Sequence, residues 1–289
     1  MHADLDTLCT TVYCTADDLL PERPGNARRR VTDAEIATLC VAQAIMGIPS
    51  DRRFLAVARK RLRGLFPELP KQPGFHKRRA RLGETIEWLI GVFAAESPGF
   101  HDDLLLIDST PVECARSVET TRRSALADAA DYGYCASHSR FFWGFRLHCL
   151  FAPDGTPRAF TLASPKRDER EVGIELLERA NRAGGEIVIG DKGYAGRDFS
   201  AAVEKLGATI VRPARKDETH EAIHLAPIRQ RVESIFWTCK DILTLERHGA
   251  RTLHNLRARI AQRFLALAAC VALNHKLGRP SRALVDYVA

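Results

Sequence analysis

Three carboxylates carry the strongest chemical signal in this 289-residue sequence: Asp108, Asp191 and Glu233. Asp108 follows the apolar run Leu104 to Ile107 and precedes Ser109-Thr110-Pro111, so the pattern predicts a short strand that ends on an acid at a sheet edge. Asp191 repeats the arrangement after Ile187-Val188-Ile189-Gly190, and Gly190 and Gly193 leave room there for close approach of backbone or ligand. Two such strands, parallel and adjacent, would bring their acids together at the carboxyl ends, where open α/β sheets bind ligands. Either acid alone reads equally well as a solvated turn or a helix cap. Glu233 lies in the segment Arg229 to Lys240, where helical geometry aligns Arg229, Glu233, Trp237 and Lys240 on one stripe. Beside it, Val232, Phe236, Cys239 and Leu243 form an apolar stripe fit to pack on a sheet. Taken alone, Arg229 and Glu233 are an i,i+4 pair of small energetic consequence.

Together the three acids have a use that one does not. Carboxylate oxygens suit hard Mg²⁺, and two such ions about 4 Å apart can activate an attacking oxygen and stabilise a leaving oxygen at a phosphodiester. Positioning and charge stabilisation dominate that chemistry, so no nucleophilic side chain is needed. Arg229 and Lys240 would project near the same place and meet a DNA phosphate. Asp102, Asp103, Glu113, Asp168 and Glu171 compete as acids but fit no strand end. His148 alternates with Leu147 along an apolar run and reads as structural. The eight cysteines lack any C-x2-C pair, so they read as small core residues. Cys135, His138, His148 and Cys149 match no closed tetrahedral spacing.

Charge is regional. The net charge is +7, yet residues 52–81 hold eleven basic side chains against Glu68, and residues 229–282 hold eleven against three acids. Between them, residues 82–228 carry 17 basic and 23 acidic groups. Cationic flanks attract a polyanion through counterion release, and an acidic centre can hold divalent cations. The longest apolar run, Phe264 to Leu273, is shorter than the roughly 20 residues of a bilayer span, and the first residues lack the basic-then-apolar order of a secretory signal. These features lead to the expectation of a soluble cytoplasmic protein.

The elements that must position the acids follow from periodicity. Residues 32–96 read as helical: Thr32 and Glu35 form a capping-box pattern, a second helix runs near 51–66, and a third from Phe75 to Glu96 starts with Lys77, Arg78, Arg79 and Arg81, placed to grip phosphates. After Ser97-Pro98-Gly99 come strands at Leu104 to Asp108, Phe141 to Phe151 and Arg158 to Ser164, the last two joined at the turn Pro153-Asp154-Gly155. Then follow a helix at 169–183, a strand at Glu186 to Gly190, a helix at Asp198 to Leu206, a strand at Thr209 to Arg212, and helices near 227–246 and 250–275. This order implies an α/β layer structure with an antiparallel hairpin and a parallel portion. The interval 109–140 is too long for a tight hairpin and is expected to hold a helix or a mobile loop.

Four stretches carry a family resemblance: Ile107-Asp108-Ser-Thr-Pro-Val, the segment from Tyr132 to His148, Gly190-Asp191-Lys-Gly-Tyr-Ala-Gly196, and Arg229 to Lys240. The sequence resembles bacterial insertion-sequence transposases, nearest the insertion-sequence family numbered 982. That resemblance implies a ribonuclease-H-like mixed sheet flanked by helices, preceded by an all-α N-terminal domain. The boundaries are then 1–98 for a helical DNA-binding domain and 99–289 for a catalytic domain with C-terminal helices. It also implies an aspartate-aspartate-glutamate triad on Asp108, Asp191 and Glu233, dependence on two Mg²⁺ or Mn²⁺ ions, and recognition of the terminal inverted repeats of a mobile element. The implied reaction is cleavage and strand transfer on double-stranded DNA, at transposon ends and target, by a homodimer or larger synaptic complex associated with the bacterial nucleoid. One departure stands out: in the pattern Y-x2-R-x3-E-x6-K, Arg229, Glu233 and Lys240 match but the first position is Ala226. Two other readings use the same features, a ribonuclease-H-like nuclease without strand transfer and an inactive relative that represses by binding DNA.

Overall fold

The computed structural model describes residues 4–21, 30–135, 139–180, 183–214 and 225–287. By contacts the chain divides into two compact units, Ser97–Trp237 and a second made of Met1–Glu96 with Thr238–Ala289.

The Ser97–Trp237 unit is built on a mixed sheet. Its strands are β1 (Leu104–Ala115), β2 (Asp131–Cys135), β3 (Arg140–Phe151), β4 (Pro157–Ala163), β5 (Ile187–Ile189) and β6 (Thr209–Val211). β3 pairs antiparallel with β1 along one edge, and along the other with β2 over its first half and β4 over its second. β1 then pairs parallel with β5, and β5 with β6. Parallel neighbours require crossovers, and two helices supply them: α7 (Glu169–Arg179) between β4 and β5, and α8 (Arg197–Lys205) between β5 and β6. Leu176, Leu177, Phe199 and Val203 from these helices pack on Leu105, Ile107 and Val188 of the sheet in one buried cluster. The result is the ribonuclease-H-like mixed sheet flanked by helices that the resemblance implied, with an α-helical region preceding it.

Two local readings change. β1 does not end at Asp108 but runs on to Ala115 through Pro111, so Asp108 lies inside the strand opposite Cys149. Past Leu106 only one edge of β1 is paired, so a residue without an N–H is tolerated there. The interval 109–140 holds the rest of β1, a short helix α6 (Val118–Arg123) and the unforeseen strand β2. The hairpin turn between β3 and β4 forms as expected, with Ala152 N–H donating to the Thr156 carbonyl at 2.9 Å and Gly155 at φ +100°. At Gly144, a Cβ would stand 2.1 Å from the Val112 carbonyl oxygen, where β1 bulges between Glu113 and Ala115, so only glycine fits.

The other unit is helical: α1 (Leu5–Leu19), α2 (Asp33–Ile45), α3 (Asp51–Arg61), α4 (Gln72–Arg81), α5 (Gly83–Ala95) and α10 (Leu253–Lys276), with the last turns of α9 (Ala226–Asp241). The expected capping box starts α2, with Thr32 Oγ1 accepting from Glu35 N–H at 3.1 Å and Glu35 accepting from Thr32 N–H at 2.5 Å. The stretch read as one helix from Phe75 to Glu96 is two helices that break at Leu82. The chain's long last helix packs with the first ones, unlike a single cut after residue 98. α10 is apolar around most of its girth and lies against α1, α2, α4 and α5, and such a helix needs cover on every side. Among the described residues no helix is long and apolar enough to cross a membrane. Six of the eight cysteines are buried, as expected of core residues.

The polar centre of this unit corrects the reading of Arg79. Its guanidinium, 1% exposed, donates to both carboxylate oxygens of Asp51, at 2.9 and 3.1 Å. Asp51 also accepts from Arg259 at 2.7 Å and Gln43 at 3.0 Å, joining α2, α3, α4 and α10, and Arg263 is buried beside them. Hydrogen bonding and charge from Arg79 and Arg259 outweigh burial and hold the Asp51 carboxyl well below the carboxylate range. Arg79 shares the inner face of α4 with Phe75, one turn away, and so is a core residue rather than a phosphate contact. Arg78 is half-buried and donates to the Val31 carbonyl at 2.6 Å and to Asp33 at 2.5 Å. Lys77 and Arg81 are exposed. Removing Asp51 leaves buried guanidinium groups uncompensated, so Asp51→Ala is expected to lower stability by about 3–5 kcal/mol, read as a lower urea midpoint. A loss under about 1 kcal/mol, the scale of an exposed ion pair, would show that water reaches the cluster.

Candidate active site

The parallel register fixes the first two acids. Leu104, Leu105 and Leu106 pair with Ile187, Val188 and Ile189, so Asp108 and Asp191, each two residues further along, stand at one level beyond the carboxyl end of β5. Asp108 is half-buried, and its Oδ1 accepts from Ser109 N–H at 2.7 Å. Asp191 Oδ1 accepts from Gly193 N–H at 2.7 Å and so caps the turn Lys192–Tyr194. The two carboxylates feel each other. Burial pushes the Asp108 carboxyl up to about 7, the Ser109 hydrogen bond opposes this, Asp191 and Glu169 raise it further, and Arg229 lowers it.

The glycines do not all serve a ligand. A Cβ at Gly190 would stand 2.8 Å from the Tyr194 ring, so this glycine admits that ring, which is 1% exposed. Gly193 separates carboxylates: a Cβ there would lie 2.9 Å from both Asp191 Oδ1 and Glu169 Oε2.

Glu169, which the sequence reading passed over, is thus a third acid, facing Asp191 across Gly193. It opens α7 immediately after Asp168, whose side chain caps the helix by accepting from Arg170 N–H at 2.8 Å. Glu169 Oε1 accepts from Ser109 Oγ at 2.8 Å and from Arg146 on β3, and Arg146 also donates to Ser109 Oγ at 3.2 Å and to the Tyr134 carbonyl at 3.2 Å. The only signal in the sequence was an acidic pair at a helix start, which helix-dipole arguments explain without any site. The acids ranked lower lie in other roles: Asp102 accepts from Leu104 N–H, Glu113 pairs with Arg116 and Arg140, and Asp103 and Glu171 are exposed.

The third motif acid arrives differently. Along α9 the apolar stripe is buried as expected, and Phe236 meets Phe151 of β3 edge-on at 5.7 Å. On the other stripe Arg229 is half-buried and acts on Asp108, whereas Glu233 is exposed and Trp237 is 59% exposed. Lys240 belongs to the helical unit, where it lies 3.7 Å from Glu246. Among the described residues no three His, Cys, Asp or Glu side chains stand close enough to ligate one ion. The structure therefore brings Asp108, Asp191 and Arg229 together, adds Glu169, and leaves Glu233 on the open side of its helix.

His148 is fully buried, and burial, helped by Arg146, pulls its imidazole down to about 4, in keeping with a structural role. His138 lies outside the described residues.

The family model for the transposase DDE domain matches residues 99–269. No curated protein matches the sequence. Among solved structures, the cryo-EM structure of the piggyBac transposase synaptic complex with hairpin DNA is similar at 10% identity, over 98% of this chain and 78% of that one, with a TM-score of 0.46. A likeness of that size carries no argument.

The raised Asp108 makes stability depend on pH in a definite direction. Its folded value near 7 lies above the roughly 3.9 of an unfolded aspartate, so the stabilisation from its proton is complete below the unfolded value and is lost as pH rises through 7. Asp108→Asn stays neutral throughout. In EDTA its melting temperature is expected to gain on the wild type from pH 4 to pH 7 and then hold a constant lead. A lead that does not change over this range would show that Asp108 titrates normally.

Proposed function

Since its family model spans more than half of the sequence, the chain belongs to the transposase DDE domain family, and from that premise we propose that it is the transposase of an insertion sequence, nearest the family numbered 982. It binds the terminal inverted repeats of its element, cleaves DNA there and joins the freed 3′ end to target DNA. The observation that carries this reading is the β1–β5 register, which sets Asp108 and Asp191 at one level beyond the parallel strands.

Asp108, Asp191 and Glu233 are the residues assigned to hold two Mg²⁺ or Mn²⁺ ions. The donor set fits a hard cation, since it is all oxygen, and the buried Tyr194 hydroxyl, on which the charges of both aspartates act, has no hydrogen-bond partner among the described residues. When bound, the ions supply charge stabilisation to the attacking and leaving oxygens. The protein's own work is to position: β1 and β5 fix the two aspartates, and α9 carries Glu233 one turn beyond Arg229, from which side chain and helix must bring it inward. Arg229 neutralises charge at Asp108 and can meet a DNA phosphate, with Lys240 as a second such contact. Exposed Lys77 and Arg81 hold the flanking duplex. Joining two ends to one target calls for a dimer or larger assembly.

Purified protein incubated with the DNA flanking its own gene and Mg²⁺ or Mn²⁺ tests the assignment. Asp108→Asn, Asp191→Asn and Glu233→Gln are each expected to reduce cleavage and strand transfer at least a hundred-fold while DNA binding is kept. Cleavage without joining of pre-cleaved ends would favour a nuclease, and DNA binding unaccompanied by any cleavage would favour a repressor. A second measurement addresses the grip on DNA. Lys77→Ala with Arg81→Ala is expected to weaken binding of all sequences alike and to reduce the slope of log K against log salt by about 2. An unchanged slope would remove these residues from the interface.

A further inference from the structure

We propose that Glu169 is a fourth carboxylate of the cation-holding site, serving alongside Asp108 and Asp191; this rests on the assignment just made and adds a ligand to it. Glu169 faces Asp191 and acts on Asp108 through its charge. Its Oε1 accepts from Ser109 Oγ at 2.8 Å, which holds the side chain against β1. Through Oε2 it faces Asp191, since that oxygen and Asp191 Oδ1 are both 2.9 Å from the point a Cβ on Gly193 would occupy. A glutamate serving only the start of a helix gains by turning toward solvent and its own N–H groups. Here Asp168 already caps α7, and Glu169 turns into the sheet.

A second observation, independent of the acids, points to the same place. Tyr194 is buried, its ring lies 5.7 Å from that of Phe199, and its hydroxyl has no hydrogen-bond partner among the described residues. Burial acts most strongly on that hydroxyl, followed by the charges of Glu169, Asp108 and Asp191 and then Cys149. A buried hydroxyl left unpaired is destabilising, and the hydration shell of an ion among these carboxylates would give it a partner. Among the described residues these acids do not form a ligating set, and Glu169 Oε1 is held by Ser109 and Arg146. An ion would therefore compete with Arg146 for this carboxylate.

The test is binding of Mn²⁺ to the full-length protein without DNA, followed by the electron paramagnetic resonance of the free ion. Glu169→Gln keeps the size of the side chain and the Ser109 contact but removes the charge. It is expected to weaken Mn²⁺ binding at least ten-fold and to shrink the rise in melting temperature that Mn²⁺ produces. Glu169→Asp keeps the charge but draws the carboxylate back by one methylene, and is expected to fall between Glu169→Gln and the wild type, which keeps the test valid should Glu169→Gln fail to fold. Asp191→Asn is the reference. If Asp191→Asn weakens Mn²⁺ binding and both Glu169 variants bind like the wild type, Glu169 is not a ligand and the assignment of the aspartates stands. If Asp191→Asn also binds like the wild type, the assignment of the site itself falls.

Discussion

The parallel pairing of β1 with β5 is the constraint from which the site follows. It involves only three residue pairs, yet it decides where two carboxylates stand. Side chains alternate along a strand, so a slip of one residue would turn Asp108 away from Asp191. Several features hold the register. β5 is paired on both edges, Val188 is buried under α7 and α8, and Gly190 lets the Tyr194 ring close over the strand's end. Where β5 stops, β1 continues with β3 alone, so Asp108 sits on an edge that no strand covers among the described residues. The same pairing that makes the sheet also opens it at one point.

The two units solve the problem of partly buried charge in opposite ways. Around Asp51 one carboxylate is surrounded by Arg79, Arg259 and Arg263, and its acidity is increased. Around Asp108 burial, reinforced by Asp191 and Glu169 against Arg229, reduces its acidity toward neutrality. The first arrangement locks four helices, since each partner is lost if one element moves. The second keeps like charges together against their repulsion, and the surrounding sheet must supply the difference. The contrast separates a cluster that locks helices together from one that keeps like charges close.

Much of this was readable from local pattern. Thr32 and Glu35 announced the start of α2, Pro153-Asp154-Gly155 the hairpin turn, and the Ile187 to Ile189 run a strand ending near an acid. What escaped depended on partners distant in sequence. β1 passes through Pro111 because β3 pairs with it along one edge only, which no local signal shows. Glu169 looks like any acid at a helix start until α7 is laid beside β1. Arg79 was legible in principle, since Phe75 lies one turn before it on the inner face of α4, but a count of positive residues carries no direction. Glu233 keeps its motif spacing to Arg229 and Lys240, yet spacing along a helix does not say how far that stripe reaches toward a sheet.

That last point bears on which basic segment is suited to a polyanion. The two cationic stretches are equal in number of basic residues, eleven each, and unequal in what the fold does with them. In residues 52–81 all but Arg78 and Arg79 are exposed, and α3 alone displays Arg52, Arg53, Arg59, Lys60 and Arg61. In residues 229–282 Arg259 and Arg263 are buried, Lys276 pairs with Glu96, Arg279 with Asp286 and Lys240 with Glu246. Counterion release scales with phosphates neutralised, and a guanidinium in the core neutralises none. The first segment therefore carries the stronger case for holding duplex DNA, and much of the second stabilises the protein itself.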